Sequence, residues 1–435
     1  MSRTVVLGAI VATAFVAVAT IKDARTTAVA ERSSPRIVGA LDTSRDRLAI
    51  TVKEMTARVA LQPDNATAVV GLAEALLRMQ RVNQDDRSGR AAIDRLDAFL
   101  SRHPNHYEAA RWKASALVSQ HRFTEGIGQA NRLIARDPRD GWNYGVLGDA
   151  YLELGDYEQA FAAFDRMGAL QPGPPAYARV AYALELKGDL QGAVEYMQRA
   201  ADGTTSNDTE SQAWHFSQLG MLYLQQGKRA DATREFERAL ATFPSYPAAI
   251  EGLARVRVAG GELKAARTLY REQFARTPAT HLAAAVGDLS AALGDAADAR
   301  RYYEMAAQIE RGIWANGPRQ PQVMSRLLSE RGHDLATSLS LAEEAAARQR
   351  DIFTMDTLAW ACFKSGMLAE AARYSTEALR TGSRDARLLY HAAAIRFAAG
   401  DAANARALLD RLPSRDMADV LIAAGVEQLE RSLRQ

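Results

Sequence analysis

Prolines and glycines recur along this sequence with a period close to 34 residues. Pro104, Pro138 and Pro172 are each 34 residues apart, and Pro244 and Pro278 keep the same spacing. A set of glycines has nearly the same period but a different phase: Gly155, Gly188, Gly227, Gly261, Gly294, Gly366 and Gly400. Glycine suits the left-handed residue that ends a helix, and proline follows a helix that it cannot continue. The sequence therefore predicts a unit of two helices that is repeated along the chain.

The unit at residues 140–172 shows this pattern most clearly. Apolar and small side chains recur at helical spacing in both halves: Trp142, Tyr144, Leu147, Gly148 and Tyr151 in the first, and Tyr157, Ala160, Phe164 and Met167 in the second. Between them, Gly155 is expected to form the turn and Asp156 to cap the second helix. Gly148 and Ala160 are small where the antiparallel helices approach closely, so the aromatic rings are expected to fill the space on either side.

This unit resembles the tetratricopeptide repeat. The resemblance rests on the Leu147-Gly148-x-x-Tyr151 core, the small Ala160, the aromatic Phe164 and the closing Pro172. Other units repeat the pattern. Residues 121–155, 177–189, 356–360 and 389–393 also resemble a group of exported bacterial tetratricopeptide proteins of unassigned function, and this resemblance covers about residues 60–413. The resemblance implies an all-α fold, a right-handed α-solenoid of stacked helix hairpins, and no particular activity.

The repeat pattern divides the chain into an array and its flanking segments. We count about ten helix pairs over residues 44–415, and an amphipathic helix at residues 416–435 is expected to cap the array. Residues 312–322 contain Asn316-Gly317-Pro318 and Pro321, which favours a bend in the array at that point.

The N-terminal residues have the order of charged and apolar residues that is typical of an export signal. Arg3 precedes an almost purely apolar stretch of 17 residues, 5–21, and Lys22 follows it directly. Residues 1–22 are interpreted as a signal peptide, cleaved near its small residues, or as an uncleaved signal anchor. Residues 23–43 are interpreted as a flexible tether. Both alternatives predict an exported protein, which is periplasmic or secreted, or anchored to the inner membrane by residues 5–21.

Composition and motifs argue against nucleic-acid binding, metal binding and catalysis. Lys and Arg number 54 and Asp and Glu 52, and the net charge of +2 is too balanced for a protein that neutralises many phosphates. Cys362 is the single cysteine, which excludes an intrachain disulfide, and it is expected to be a buried small hydrophobe. His103 and His106 flank a turn without an obvious third metal ligand. We therefore predict no enzyme activity, cofactor, metal or nucleic-acid partner, and membrane contact only through the N-terminal segment.

Stacked helix pairs create a concave groove, which the first helix of each pair lines. The side chains projected into this groove are Arg111, Trp142, Asp149, Glu153, Tyr182, Glu185, Trp214, Met221, Arg255, His281, Asp288, Trp360 and Tyr390. Trp, Tyr and Arg are the residue types that dominate interface energetics. The sequence therefore predicts a noncatalytic scaffold outside the cytoplasm, whose groove binds a segment of another protein.

Two other functions are compatible with the same pattern. A membrane-tethered structural factor would self-associate through its convex face or through the helix at residues 416–435, and a concentration-independent monomer would count against it. An accessory subunit of a cell-envelope complex for transport or polymer assembly would use the array to hold its neighbours. The repeat by itself does not distinguish these functions from the leading prediction.

Overall fold

The computed structural model describes residues 44–84, 86–316 and 319–435, and every regular element within these residues is an α-helix. The helices are α1 (Ser44–Leu61), α2 (Ala66–Asn83), α3 (Arg87–Leu100), α4 (Tyr107–Ser119), α5 (Phe123–Arg136), α6 (Gly141–Leu154), α7 (Tyr157–Leu170), α8 (Pro174–Leu186), α9 (Leu190–Gly203), α10 (Thr209–Gln225) and α11 (Arg229–Thr242). They continue as α12 (Pro247–Ala259), α13 (Leu263–Arg276), α14 (Thr280–Ala292), α15 (Ala296–Asn316), α16 (Pro321–Arg331), α17 (Leu335–Arg348), α18 (Ile352–Lys364), α19 (Leu368–Ala378), α20 (Ala386–Ala398), α21 (Ala402–Asp410) and α22 (Val420–Arg434).

The predicted signal segment and tether, residues 1–43, lie outside the described residues. In the part of the chain that is described, no helix combines the length and the apolar composition that crossing a bilayer requires.

Consecutive helices from α2 to α21 pack as ten pairs, beginning with α2 against α3 and ending with α20 against α21. All seven glycines of the period-34 set have a positive φ, between 74° and 83°, at the turn inside a pair. Asp156 caps α7, because its carboxylate accepts the Gln159 N–H at 3.3 Å. The prediction of repeated two-helix units is therefore confirmed.

The final helix begins at Val420 rather than at residue 416. Asp419 determines this start, because its carboxylate accepts the backbone N–H of Leu421 at 2.9 Å and of Ile422 at 3.2 Å. The helix packs on α20 and α21 and also contacts α14.

Small residues bring the two helices of a pair close together. A Cβ added at Gly148 on α6 would lie 2.5 Å from the Phe164 ring and 3.0 Å from the Ala160 carbonyl oxygen on α7. Ala160 and Phe164 are both buried. A larger side chain at residue 148 would therefore push the helices apart, which explains the small residues of the repeat motif.

The solenoid winds back onto itself, so that the turn after α6 contacts the loop before α18. The backbone N–H of Arg350 donates to the Leu154 carbonyl at 3.2 Å, and that of Ile352 donates to the Tyr157 hydroxyl at 2.8 Å. Apolar residues from both segments form one core cluster, which contains Leu152, Tyr157, Ala160, Phe164, Ala183, Leu186, Ile352, Phe353 and Leu388. Two segments 195 residues apart in sequence therefore share a core.

Equivalent contacts follow at intervals of about one repeat, and together with the first we call them the seam. They join His121 to Gln320, Gly188 to Gly382, and Gly227 to Ser414. The partners are between 187 residues (227 to 414) and 199 residues (121 to 320) apart in sequence, so one superhelical turn takes about six helix pairs. A cavity of about 420 Å³ lies at the His121 end of the seam.

Helix α2 also reaches across the solenoid to α10. Arg81 pairs with Glu210 through both carboxylate oxygens, with Nε at 2.8 Å from Oε1, and the Tyr246 hydroxyl donates to the same carboxylate at 3.1 Å. Arg78 Nη1 lies 2.8 Å from Asp208 Oδ1. Helices four pairs apart are therefore in contact, so the space inside the superhelix is narrow.

Candidate partner-binding groove

All thirteen residues predicted to face the groove lie in the first helix of a pair, from α4 to α20. Five of them are buried: Trp142, Glu153, Trp214, Asp288 and Trp360. The other eight are half-buried: Arg111, Asp149, Tyr182, Glu185, Met221, Arg255, His281 and Tyr390. These eight partly accessible residues come from seven different helix pairs.

The three tryptophans pack between neighbouring helix pairs. The Trp142 indole N–H donates to Ser115 Oγ at 3.0 Å, and the Trp360 ring stacks on His391 with centroids 3.8 Å apart and planes at 9°. Their exposed fractions are 2% for Trp142, 7% for Trp360 and 9% for Trp214. Because a large ring gains most free energy where it is fully packed, these residues hold the array together and offer little surface to a partner.

Helices α6 and α8 make one part of the groove acidic. Asp149 on α6 is bound by Arg179 on α8, with Nη2 at 2.6 Å and Nε at 3.0 Å from its oxygens. Glu185 accepts a hydrogen bond from Gln225 at 2.7 Å. Glu153 lies one turn beyond Asp149, and no other described residue forms a hydrogen bond or an ion pair with it. We call Asp149, Glu153 and Glu185 the acidic sector.

Helices α16 and α20, each the first helix of its pair, carry arginines with largely buried side chains. Arg331 binds Asp288 with Nε at 2.9 Å and Nη2 at 2.5 Å from its oxygens, and Arg387 Nε lies 3.2 Å from Asp356 Oδ2. Burial and the nearby Arg387 lower the pKa of Arg326 to about 10. Each of these three arginines lies on a first helix and pairs with a carboxylate, Arg326 with Glu330 at 3.7 Å.

Sequence reasoning missed these arginines for an identifiable reason. Residues 321–350 keep a helical pattern without the repeat motif, so the register of α16 could not be projected. The helix position of Arg387 could have been predicted from its spacing to a turn glycine. It precedes Gly400 by 13 residues, as Trp142 precedes Gly155. Counting back from each turn glycine would have placed Arg387 at the same position of its helix as Trp142.

The histidines and the cysteine that were considered as metal ligands or as a nucleophile form contacts within the fold. In residues 44–84, 86–316 and 319–435, no three His, Cys, Asp or Glu side chains are grouped so that they could hold a metal ion. His103 Nε2 lies 2.9 Å from Asp64 Oδ1, and His106 caps α4 by accepting the Ala109 N–H at 3.2 Å. Burial raises the pKa of Cys362 to about 11, so its thiol is protonated at neutral pH and is a poor nucleophile.

Comparison with solved structures gives matches of low sequence identity. The human IFIT1 dimer with PPP-AAAA has a TM-score of 0.50 and 15% identity, and the match covers 76% of this chain and 78% of that chain. PilW, a widely conserved type IV pilus biogenesis factor, has a TM-score of 0.40 and 19% identity, over 48% of this chain and 93% of its own. PilF from Pseudomonas aeruginosa has a TM-score of 0.39 and 16% identity, over 47% and 92%. The likeness to IFIT1 shows a shared fold.

Sequence comparisons identify the repeat itself. Comparison with curated proteins gives no match. Family models of the tetratricopeptide repeat match residues 84–141, 146–208 and 223–289. These segments carry the helix pairs and turn glycines described above, and the ten pairs of the array continue the same arrangement on both sides of them. The chain is a tetratricopeptide repeat protein.

Proposed function

We propose that this protein is a noncatalytic scaffold that binds a segment of another protein along the first-helix face of its solenoid. The observation that supports this most directly is the set of eight half-buried groove residues, which come from seven helix pairs. Tyrosine, arginine and methionine, which are enriched at protein interfaces, are among them. Partial burial also limits the side-chain entropy that these residues lose when a partner binds.

A photo-crosslinking experiment tests this proposal. The photoreactive amino acid p-benzoylphenylalanine replaces Tyr182, on the first helix α8, or Tyr196, on the second helix α9; both tyrosines are half-buried. In cells of the native host, we expect a protein to be crosslinked through residue 182 and not through residue 196. Equal crosslinking at both positions, or none at residue 182, would contradict binding on the first-helix face.

The same proposal places the array outside the cytoplasm, with residues 1–22 directing export and residues 23–43 as the tether. The apolar stretch at residues 5–21 between Arg3 and Lys22 supports it. Alkaline phosphatase folds only after export, so a fusion of residues 1–43 to phosphatase without its own signal should be active in bacterial cells. The matched fusion that carries only residues 23–43 should be inactive. Equal activity of the two fusions would remove the basis for export.

A further inference from the structure

A small cavity lies beside Glu153 in the acidic sector of the groove. Its polar groups are Asp149, Glu153, Arg179 and Tyr182, and its apolar walls include Val118, Leu152 and Phe164. The volume of the cavity is about 10 Å³, which is the room that one water-sized group needs. The cavity therefore combines apolar walls with two carboxyl groups, one of which pairs with Arg179.

Glu153 is the carboxyl group of this cavity that has no counter-charge. The residue is 4% exposed, and none of the described residues donates a hydrogen bond to it or pairs with it. Asp149, by contrast, is already neutralised by Arg179 at 2.6 Å. Burial raises the pKa of Glu153 well above its usual range, and the nearby Asp351 and Asp149 raise it further. The ionised form of Glu153 is therefore disfavoured when the groove is empty.

The dimensions and chemistry of the cavity distinguish among cationic groups. A lysine ammonium is a compact charge about the size of a water molecule, and its methylene stem packs well against apolar walls. A guanidinium is a planar fork that needs more room and more acceptors. A metal ion needs several ligands. Asp149 already pairs with Arg179, so Glu153 is the one carboxyl group of this cavity that could bind a cation.

We propose that Glu153 binds the side-chain ammonium of a lysine in the partner segment that occupies the groove. This inference rests on the proposed function, because it specifies one residue of that same partner. The Glu153 carboxylate accepts a hydrogen bond from the lysine, which carries its charge throughout. At a pH where Glu153 is protonated in the free chain, binding releases that proton to solvent.

Selection of peptides from a random library tests this inference. A phage-displayed library of 12-residue peptides is selected on the immobilised full-length chain, on Glu153→Gln, and on Glu158→Gln as the control, because Glu158 is exposed on the second helix α7. We expect peptides with a lysine at one fixed position from the unchanged chain and from Glu158→Gln. The lysine should disappear from the peptides that Glu153→Gln selects. Because glutamine resembles a protonated glutamate, the thermal unfolding of Glu153→Gln should be unchanged.

Affinity measurements on one selected peptide give a second readout. Replacing its fixed lysine by norleucine should weaken binding to the unchanged chain at least about 10-fold, and have little effect on binding to Glu153→Gln. Because a lysine favours the ionised carboxyl, affinity should rise with pH, by up to about tenfold per pH unit, for as long as Glu153 is protonated in the free chain. A purely structural role of Glu153 would give no such pH dependence.

The outcomes separate this inference from the proposed function. Peptides that bind the groove without a fixed lysine, or a lysine preference that survives Glu153→Gln, would overturn the inference and leave the scaffold function intact. If no variant selects any peptide and residue 182 gives no crosslink, both the inference and the proposed function are contradicted.

Discussion

Replacing Glu210 by alanine is expected to release α2 from the rest of the solenoid. The Glu210 carboxylate pairs with Arg81 and accepts a hydrogen bond from Tyr246, and its side chain is 4% exposed. Removing it breaks the buried ion pair with Arg81, which costs about 3–5 kcal/mol in comparable cases. Repeat arrays do not always unfold in one step, so the effect must be measured locally, at α2 itself. Hydrogen exchange of the backbone amides in residues 66–83 gives this local free energy of opening. We expect their protection to fall by the cost of breaking the pair.

An exposed ion pair provides the control for this prediction. Arg122 and Glu125 pair at 2.6 Å, with side chains 43% and 57% exposed. Glu125→Ala should therefore change the local free energy of opening by no more than about 1 kcal/mol. If the two substitutions have the same effect, the contact between α2 and α10 does not stabilise the fold.

The pH dependence of the Glu210 contact has a defined sign. Burial by itself would raise the pKa of Glu210, but the charge of Arg81 and its hydrogen bonds outweigh burial and hold the pKa below the usual 4.5. A lowered pKa in the folded state means that the unfolded chain binds the proton more tightly. The stabilisation is therefore fully present above about pH 4.5, and it is lost as the pH falls through the folded-state value.

Replacing Gly155 by alanine is expected to open the seam, whereas replacing Gly366 by alanine should not. Both glycines end the first helix of a pair with nearly the same conformation, φ being 83° and 81°. Either substitution therefore carries the left-handed penalty of an L-residue, about 1–2 kcal/mol. A Cβ at residue 155 would also lie 2.4 Å from the Arg350 carbonyl oxygen, while a Cβ at residue 366 meets nothing within 4 Å.

Two measurements separate the seam from the turn itself. Hydrogen exchange at Ile352 should quicken in Gly155→Ala alone, because its N–H donates to Tyr157 across the seam. The radius of gyration from X-ray scattering should increase in the same variant alone, because the two layers of the superhelix separate. Equal changes in Gly366→Ala would mean that the seam contributes nothing beyond the strain of the turn.

The repeat unit could be predicted from sequence because its determinants are local. The left-handed turn at Gly155, the cap at Asp156 and the close approach of Gly148 to α7 each depend on residues within one period of 34. The same counting placed all thirteen groove residues on first helices. It could not show which of them stay accessible, because burial of Trp142 or Trp360 depends on how neighbouring pairs fill the space between them.

The hairpin and its period could be predicted from the sequence, since each follows from a few residues close together in the chain. The tertiary structure alone decided that the solenoid closes along a seam, that α2 meets α10, and that Glu153 is left without a counter-charge. These contacts could not be read from the sequence because the small rotation between successive helix pairs adds up along the array. Its sum over about six pairs determines which residues nearly 200 positions apart come into contact.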